Sequence, residues 1–321
     1  MLSNISSDNS YVYYLRVNMA ALRARLLNVV NTFSFFTEKK LLNFKKHVSM
    51  VHTTIERSFS IKTINDIEER KVNVERFDIN YVRVGVGNHP VLLLPGALGS
   101  VWTHFKPQLE NLDKNKLTIV AWDPPGYGKS RPPNRIFSDD FLQRDADYAF
   151  NLMKVLGYKK FSLIGWSDGG ISSLMLAGKN PDNIRKMIVF GANSYIIPEE
   201  IQIYKSIKDI DTWSDKMKQP MIEVYGEEYF RSLMSDWVDT MERIYEKNKG
   251  DLCKNVLAKI KCPTLIIHGA KDLVVKPEHP VYLKDHIKNS EMKIFEKGAH
   301  NLHLKYHEEF NTLAMKFLTE D

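Results

Sequence analysis

One hexapeptide, GWSDGG at residues 165–170, constrains the fold of this chain more than any other stretch. The apolar run FSLI before it is typical of a buried strand, and the run ISSLMLAG after it is typical of a helix. A strand, G-x-S-x-G and a helix in this order predict a sharp turn, which glycines permit because they lack a Cβ atom. Ser167 would then lie at the strand end, with its hydroxyl at a helix N-terminus that stabilises negative charge.

Elsewhere, short apolar strands alternate with helices. An antiparallel pair at 72–79 and 81–86, with a turn near 78–80, precedes strands predicted at 90–94, 117–122, 161–164, 186–190, 263–267 and 292–295. Helices are predicted at 102–112, at 138–156 with Ser138 as the N-cap, and at 302–318. Apolar strands separated by helices are typical of parallel sheets that are covered on both faces. We therefore predict an α/β fold with a mostly parallel, eight-stranded sheet.

One segment interrupts this alternation. The residues between the strands at 186–190 and 263–267 contain two helical stretches, 198–213 and 216–248. This is too long for an ordinary connection to a strand. Because α/β sheets bind ligands beyond the carboxyl ends of their strands, we predict a helical cap at about 194–258 over the end that carries Ser167. The alternative is a surface excursion without a role in the site.

The first 60 residues differ from the rest in composition. They carry eight Lys and Arg residues against three acids, so most of the net charge of +6 lies there. Such a basic, acid-poor leader is typical of an organelle transit segment, although a disordered leader fits the same composition. We therefore divide the chain into a leader at 1–65 and an α/β domain at 66–321, and expect a mitochondrial or cytoplasmic location. The near-neutral body gives no indication of nucleic-acid binding.

Composition also argues against several classes of protein. Cys253 and Cys262 are the only cysteines and lack CxxC spacing, so neither a zinc site nor a disulfide framework is expected. No apolar run reaches the length of about 18 residues that predicts a membrane span. We expect a monomer that acts on a small molecule and needs neither a metal nor an organic cofactor.

The C-terminal half supplies partners for a serine nucleophile. A serine hydroxyl attacks a carbonyl group only when a positioned base takes its proton and a third group orients that base. Asp272 and His300 follow the strands at 263–267 and 292–295, so both are expected at the same end of the sheet as Ser167. The chain order Ser, acid, His is the one that accompanies a nucleophile elbow. Alternatively, Asp272 forms a turn and His300 caps the last helix.

Other residues compete for these roles. His303 is the best rival base, but it is expected within the last helix rather than in the loop before it. His268 precedes a glycine at a strand end, which favours a structural role. Asp123 is a second candidate acid, but its D-x-x-G-x-G-x-S context favours a turn.

The oxygen of a tetrahedral intermediate needs backbone donors. The N–H of Asp168, directly after the nucleophile, is one of them. The second is expected from the loop after the strand at 90–94, and therefore from Ala97 or Leu98. Each such donor is worth about 3–4 kcal/mol of transition-state stabilisation.

The blocks LLLPGALGS, AWDPPGYGKSRPP, GWSDGG, FGAN, HGAKD and KGAHNLHL, in this order and spacing, resemble the α/β-hydrolase family. The resemblance runs from about residue 70 to the C-terminus. Within the family, the blocks are similar to members that cleave α-amino-acid esters, including ester prodrugs. The resemblance implies an α/β-hydrolase fold and a serine hydrolase with Ser167 as nucleophile, Asp272 as acid and His300 as base.

The resemblance also implies that Asp168 binds the free α-ammonium group of the substrate. Residue chemistry supports this, because a carboxylate beside the nucleophile opposes the developing negative charge unless a cation is bound there too. The alternative is a carboxylate that stabilises the helix N-terminus by about 0.3–1 kcal/mol. We further expect the substrate to contact three residues: Leu98, Trp166 and Leu273.

One departure and several alternatives remain. Pro125 stands where the family usually has Arg in its DPRG turn, which puts any contact of that Arg in doubt. On the same fold, a general carboxylesterase or a C–C bond hydrolase is the alternative enzyme, and a ligand-binding scaffold is the non-catalytic alternative. Haloalkane dehalogenases and epoxide hydrolases are disfavoured, because they carry a carboxylate at the position of Ser167.

Overall fold

The computed structural model describes residues 67–320, and the leader predicted at 1–65 lies outside them. The strands of the central sheet are β1 (Glu69–Val74), β2 (Phe77–Val84), β3 (His89–Leu94), β4 (Leu117–Trp122), β5 (Phe161–Trp166), β6 (Ile184–Phe190), β7 (Thr264–Gly269) and β8 (Ser290–Phe295). They lie in the order β1-β2-β4-β3-β5-β6-β7-β8. The β1–β2 and β2–β4 pairs are antiparallel, and the other pairs are parallel. The predicted mostly parallel, eight-stranded sheet is confirmed.

Helices cover the sheet. They are α1 (Val101–Asn111), α2 (Phe141–Val155), α3 (Asp168–Lys179), α4 (Pro198–Ile207), α5 (Asp215–Tyr225), α6 (Glu227–Asn248), α7 (Glu278–His286), α8 (Leu302–Lys305) and α9 (His307–Thr319). Within residues 67–320, none of the helices combines the length and the apolar character needed to span a bilayer.

The central strands are buried on both faces because successive side chains point to opposite sides. In β3, Val91 and Leu93 join an apolar cluster with α1 and α9. Leu92 and Leu94 instead join a cluster with α2, α3 and the helices between β6 and β7. Each fully buried side chain of this kind contributes about 1.5–3 kcal/mol to folding. Burial on both faces explains the uninterrupted apolar run PVLLL.

The helices α4, α5 and α6 form one excursion between β6 and β7, here called the helical insert. Its two ends are joined by backbone hydrogen bonds, from Ile196 N–H to the Gly250 carbonyl at 2.8 Å and from Leu252 N–H to the Ser194 carbonyl at 3.1 Å. Where one helix was predicted at 216–248, Gly226 separates α5 from α6 with a φ of 73°. This conformation suits glycine, which has no Cβ to clash.

Three local predictions were wrong. The first hairpin turns at residues 75–76 rather than near 78–80, because Asn80 lies inside β2 and donates its side-chain amide to Asp123 at 2.9 Å. Helix α2 begins at Phe141, and Ser138 donates its hydroxyl to Asp140 instead of capping the helix. The last helix breaks at Tyr306, whose φ and ψ of −114° and 42° are not helical.

Arg135 is a buried cation that connects the loop after β4 to α2. Its guanidinium donates to both carboxylate oxygens of Asp145, at 2.7 and 2.6 Å, and to the Pro125 carbonyl at 3.0 Å. The two side chains are 4% and 11% exposed. The guanidinium also lies 4.4–5.5 Å from the centroids of three aromatic rings, those of Tyr127, Phe137 and Phe141.

We expect Asp145→Leu to lower the free energy of unfolding by about 3–5 kcal/mol, because it leaves the Arg135 charge buried without a partner. Urea unfolding at pH 7 measures this loss. The matched control is Asp147→Ala in the same helix, which breaks an exposed pair with Lys179 and should cost about 0–1 kcal/mol. The double variant Arg135→Met/Asp145→Leu should recover most of the loss. A cost below 1 kcal/mol for Asp145→Leu would show that solvent compensates the charge.

Candidate active site

The turn between β5 and α3 places Ser167 as the sequence predicts. Ser167 has a φ of 53°, which is uncommon for a residue with a side chain. Its N–H donates to the Phe190 carbonyl at 3.0 Å, and its carbonyl accepts from Gly170 and Ile171 at the start of α3. A Cβ atom at Gly169 would lie 2.1 Å from the Leu94 carbonyl oxygen, so only glycine fits this close approach. The packing therefore holds the strained turn in place.

The structure brings Ser167, His300 and Asp272 together. His300 Nε2 lies 3.2 Å from Ser167 Oγ, and His300 Nδ1 lies 2.8 Å from Asp272 Oδ2. Asp272 follows β7 and His300 follows β8, at the carboxyl edge where β5 also ends. Asp272 also makes a turn, because its Oδ1 accepts from Val274 N–H and Val275 N–H at 2.8 and 3.0 Å. The predicted turn-forming role and the triad contact are thus both present in one side chain.

The environment of Asp272 decides which nitrogen of His300 carries the proton. Burial alone would raise the pKa of Asp272, but the hydrogen bond and charge of His300 and the two backbone N–H groups outweigh it, and the pKa is lowered. Asp272 is therefore ionised at neutral pH and can only accept a hydrogen bond from His300 Nδ1–H. In neutral His300, Nε2 is then free to accept the Ser167 hydroxyl proton.

Trp166 lies behind His300. Its indole Nε1–H donates to the His300 carbonyl at 2.9 Å. Its ring centroid lies 4.4 Å from that of His104 and 4.5 Å from that of His303, on the face covered by α1 and α9. These contacts place the indole of Trp166 against His300, and its expected contact with the substrate stays a prediction.

Among residues 67–320, none of the rival residues forms a hydrogen bond with the Ser167 hydroxyl, which faces His300. His303 is fully buried in α8, and its Nε2 lies 2.8 Å from the His104 carbonyl oxygen. Burial lowers its pKa well below the usual range. His268 is buried in β7. Asp123 accepts hydrogen bonds from Val101 N–H and Lys129 N–H at 2.8 Å each, which is the predicted turn role.

Among residues 67–320, no backbone carbonyl accepts from the N–H groups of Asp168, Ala97 and Leu98, although the backbone of Leu98 also interacts with the Tyr127 hydroxyl. The loop that carries Ala97 and Leu98 lies close to the nucleophile, since a Cβ atom at Gly96 would be 3.0 Å from Ser167 Cβ. The Leu98 side chain is buried, and its carbonyl accepts from the Tyr225 hydroxyl at 2.8 Å. Leu273, next to Asp272, is 76% exposed, and its expected contact with the substrate stays a prediction.

Asp168 is a buried carboxylate beside the nucleophile. It is 6% exposed, and burial raises its pKa to about 6 even though one hydrogen bond opposes the shift. That bond comes from Trp237 in α6, whose indole Nε1–H donates to Asp168 Oδ2 at 2.8 Å. Among residues 67–320, no Lys, Arg or His forms an ion pair with Asp168, and the nearby Arg135 is paired with Asp145. The site thus contains a carboxylate without a cation.

Trp237 is the site residue that sequence reasoning missed. The helical cap was predicted to lie over the site, but one indole among its aromatic side chains has no motif that identifies it. Tyr225 and Glu200 were missed as well, because no motif marks either residue. Glu200 in α4 accepts from Lys276 N–H at 3.2 Å, which ties the insert to the loop that follows Asp272.

Comparison with known proteins identifies the family. A model described as the α/β hydrolase fold matches residues 89–209 and 202–305. The serine hydrolase BPHL of Mus musculus is 46% identical over 252 residues, which is 78% of this chain and 87% of that protein. The chain belongs to the α/β-hydrolase family. It is accordingly a serine hydrolase, as the elbow and the spacing of the blocks predicted.

Further relatives agree with this assignment. The Homo sapiens serine hydrolase BPHL is also 46% identical over 252 residues, with the same coverage. The predicted resemblance of the blocks to the biphenyl hydrolase-like protein, also called valacyclovir hydrolase, is confirmed by these identities. A solved meta-cleavage product hydrolase from Pseudomonas fluorescens IP01 superposes with a TM-score of 0.65 at 21% identity, over 78% of this chain and 97% of that one. At this identity the likeness concerns the fold alone.

Proposed function

We propose that this protein hydrolyses small esters of α-amino acids whose amino group is free, through an acyl-enzyme on Ser167. The observation that carries the proposal is Asp168. Its carboxylate is buried, lies next to the nucleophile in the chain and has no cationic partner among the described residues. A buried charge is retained at low cost only when it is paired. An α-ammonium group on the acyl part of the substrate supplies the missing charge at a position adjacent to the scissile carbonyl.

Acylation follows from the geometry of the triad. Ser167 Oγ attacks the ester carbonyl carbon while His300 Nε2 takes its proton, and Asp272 stabilises the resulting imidazolium. The oxyanion is stabilised by the N–H of Asp168 together with that of Ala97 or Leu98. When the intermediate collapses, the C–O bond to the leaving alcohol breaks and His300 returns the proton to that oxygen. The amino acid remains bound to Ser167 as an ester.

Deacylation repeats the sequence with water. His300 Nε2 takes a proton from water as its oxygen adds to the acyl carbon, which forms a second tetrahedral intermediate at the same N–H groups. Collapse breaks the bond to Ser167 Oγ, and His300 gives the proton back to that oxygen. The free amino acid leaves, and the serine hydroxyl is restored.

Two quantities favour the ammonium site over a helix N-terminal role for Asp168. A charge-assisted hydrogen bond to an ammonium group contributes about 1.5–3 kcal/mol, whereas a carboxylate at a helix N-terminus contributes about 0.3–1 kcal/mol. Above the pKa of about 6, Asp168 is ionised and binds a cation, and below it the protonated acid does not. An α-amino group is protonated below about pH 7.7–8.0. The preference for a free amine should therefore be largest between these limits.

The test compares phenylalanine p-nitrophenyl ester with its N-acetyl derivative in the wild type and in Asp168→Asn. At pH 7 the wild type should favour the free amine by at least ten-fold in kcat/KM. Asp168→Asn keeps the size of the side chain and an acceptor for Trp237 but removes the charge. The ratio of kcat/KM for the two esters should fall by about 10- to 100-fold, the equivalent of about 1.5–3 kcal/mol.

The alternatives give other results. If the wild type cleaves both esters equally and Asp168→Asn changes their ratio by less than two-fold, the enzyme is a general carboxylesterase. If it cleaves neither ester although Ser167 reacts with a fluorophosphonate, the C–C bond hydrolase becomes the better candidate. In both cases the ammonium site is wrong, whereas the triad remains.

A further inference from the structure

Trp237 connects the helical insert to the carboxylate beside the nucleophile. The indole is 5% exposed, and its ring packs edge-on against Tyr204 of α4, with 5.0 Å between the ring centroids. Two helices of the insert therefore fix the direction in which the indole N–H points. That N–H donates to Oδ2 of Asp168 at 2.8 Å. The bond is buried, so water does not compete for it.

The bond leaves the two oxygens of Asp168 unequal. Oδ2 accepts from Trp237, whereas Oδ1 accepts no hydrogen bond from the residues at 67–320. A carboxylate that is held at one oxygen presents the other in a fixed direction. A neutral N–H donor suits this task, because a Lys or Arg at the same place would neutralise Asp168 and compete with the substrate cation.

We propose that Trp237 is the positioning residue that aims Oδ1 of Asp168 at the substrate ammonium and so determines the preference for free α-amino esters. This inference rests on the proposed function, because it assigns to the insert the orientation of the ammonium site. Trp237 does not touch the reacting atoms in this role and acts through Asp168.

The same bond stabilises the ionised form of Asp168. The charged and titratable groups that act on this carboxylate are Arg135, Asp145, His300, Tyr127 and Tyr204. Arg135 and His300 favour its ionised form, and Asp145 opposes it. Loss of the indole donor leaves these groups in place and raises the pKa of Asp168. The acidic limit of the free-amine preference must then move to higher pH.

The experiment measures the ratio of kcat/KM for phenylalanine p-nitrophenyl ester and its N-acetyl derivative from pH 5 to 8. Dividing the two rate constants cancels the pH dependence of the steps that both esters share, because both use the same nucleophile and base. In Trp237→Phe the ratio at pH 7 should fall by about 5- to 10-fold, mainly through KM of the free-amine ester, as expected for one lost hydrogen bond of about 1 kcal/mol. The pH below which the ratio declines, here called its acidic limb, should also move to a higher value.

Trp213→Phe is the matched control. Trp213 belongs to the same insert and packs edge-on against Phe230, but its indole donates to the Ile207 carbonyl at 2.9 Å. The ratio and its pH dependence should remain those of the wild type. In Asp168→Asn, the further change Trp237→Phe should leave the ratio unaltered, because Trp237 acts through the Asp168 charge. An additional drop in the ratio there would contradict the proposal.

A second measurement needs no folded Trp237 variant. In ¹⁵N-labelled wild type, the indole N–H resonance of Trp237, identified by its proximity to the Tyr204 ring, should titrate near pH 6 and cease to do so in Asp168→Asn. A resonance that does not move through this range overturns the proposal. If the wild type favours the free amine but Trp237→Phe keeps both the ratio and its acidic limb, Trp237 has no such role and the proposed function stands. If the wild type shows no preference, the proposed function itself fails.

Discussion

Ser167→Ala should lower kcat by about 10⁶-fold and abolish covalent labelling by a fluorophosphonate probe. The substitution removes one hydroxyl and keeps the rest of the turn. His300 Nε2 then faces a methyl group, so no atom of the enzyme can form the acyl intermediate. The N–H groups of Asp168 and of Ala97 or Leu98 remain, and the residual rate should exceed that in water by about 10³–10⁴-fold.

The control for this variant is Ser172→Ala in the same helix. The Ser172 hydroxyl donates to the Leu142 carbonyl at 3.0 Å and is buried away from His300. Labelling and turnover should therefore persist in Ser172→Ala. Labelling that survives in folded Ser167→Ala would mean that another side chain is the nucleophile.

Asp272→Asn should lower kcat by about 10⁴-fold, with a small effect on KM. The amide can still accept from Val274 N–H and Val275 N–H, so the turn is kept. Its NH₂ group now faces His300 Nδ1, which must accept a hydrogen bond and therefore carries no proton. Nε2 then holds the proton of the neutral ring and cannot take another from Ser167. Initial rates measured across the pH range check this, because activity should recover partly where hydroxide replaces the base.

Asp123→Asn separates this effect from loss of folding. Asp123 is also a buried carboxylate at the end of a strand, and it also accepts backbone hydrogen bonds. Its replacement should lower the free energy of unfolding by about 1–3 kcal/mol, because the new amide donors meet N–H groups. Activity per folded molecule should remain near that of the wild type. If Asp123→Asn loses as much kcat as Asp272→Asn, the assignment of the acid is wrong.

The constellation of Ser167, Asp272 and His300 could be foreseen because it depends on topology. Parallel strands end at one edge of a sheet, so residues that follow different strands meet there even when far apart in sequence. The turn at Ser167 could also be foreseen from the glycines on either side of it, because the chain approaches its neighbours there too closely for a Cβ atom. These features depend on residue type and order, which the sequence states directly.

Other features depend on register and on the direction of single side chains. Asn80 looks like a turn residue from its neighbours, and only its partner Asp123, distant in sequence, places it inside β2. Trp166 carries no sign of which face of β5 it occupies relative to His300. Trp237 lies on a helix whose orientation over the sheet is determined by packing. Long-range contacts of this kind are invisible to local patterns.

The hydrogen bonds that join residues 194–196 to residues 250–252 have a consequence for how such a protein diversifies. The helical insert leaves the sheet and returns to it at one point, where its two ends are hydrogen-bonded to each other. Its helices can be exchanged, shortened or remodelled while the strands that carry nucleophile, acid and base keep their register. Mutations in the insert can thus change which substrates fit, while the residues that break the bond stay unchanged. Proteins with this architecture can therefore evolve to accept new acyl groups without changes in the triad.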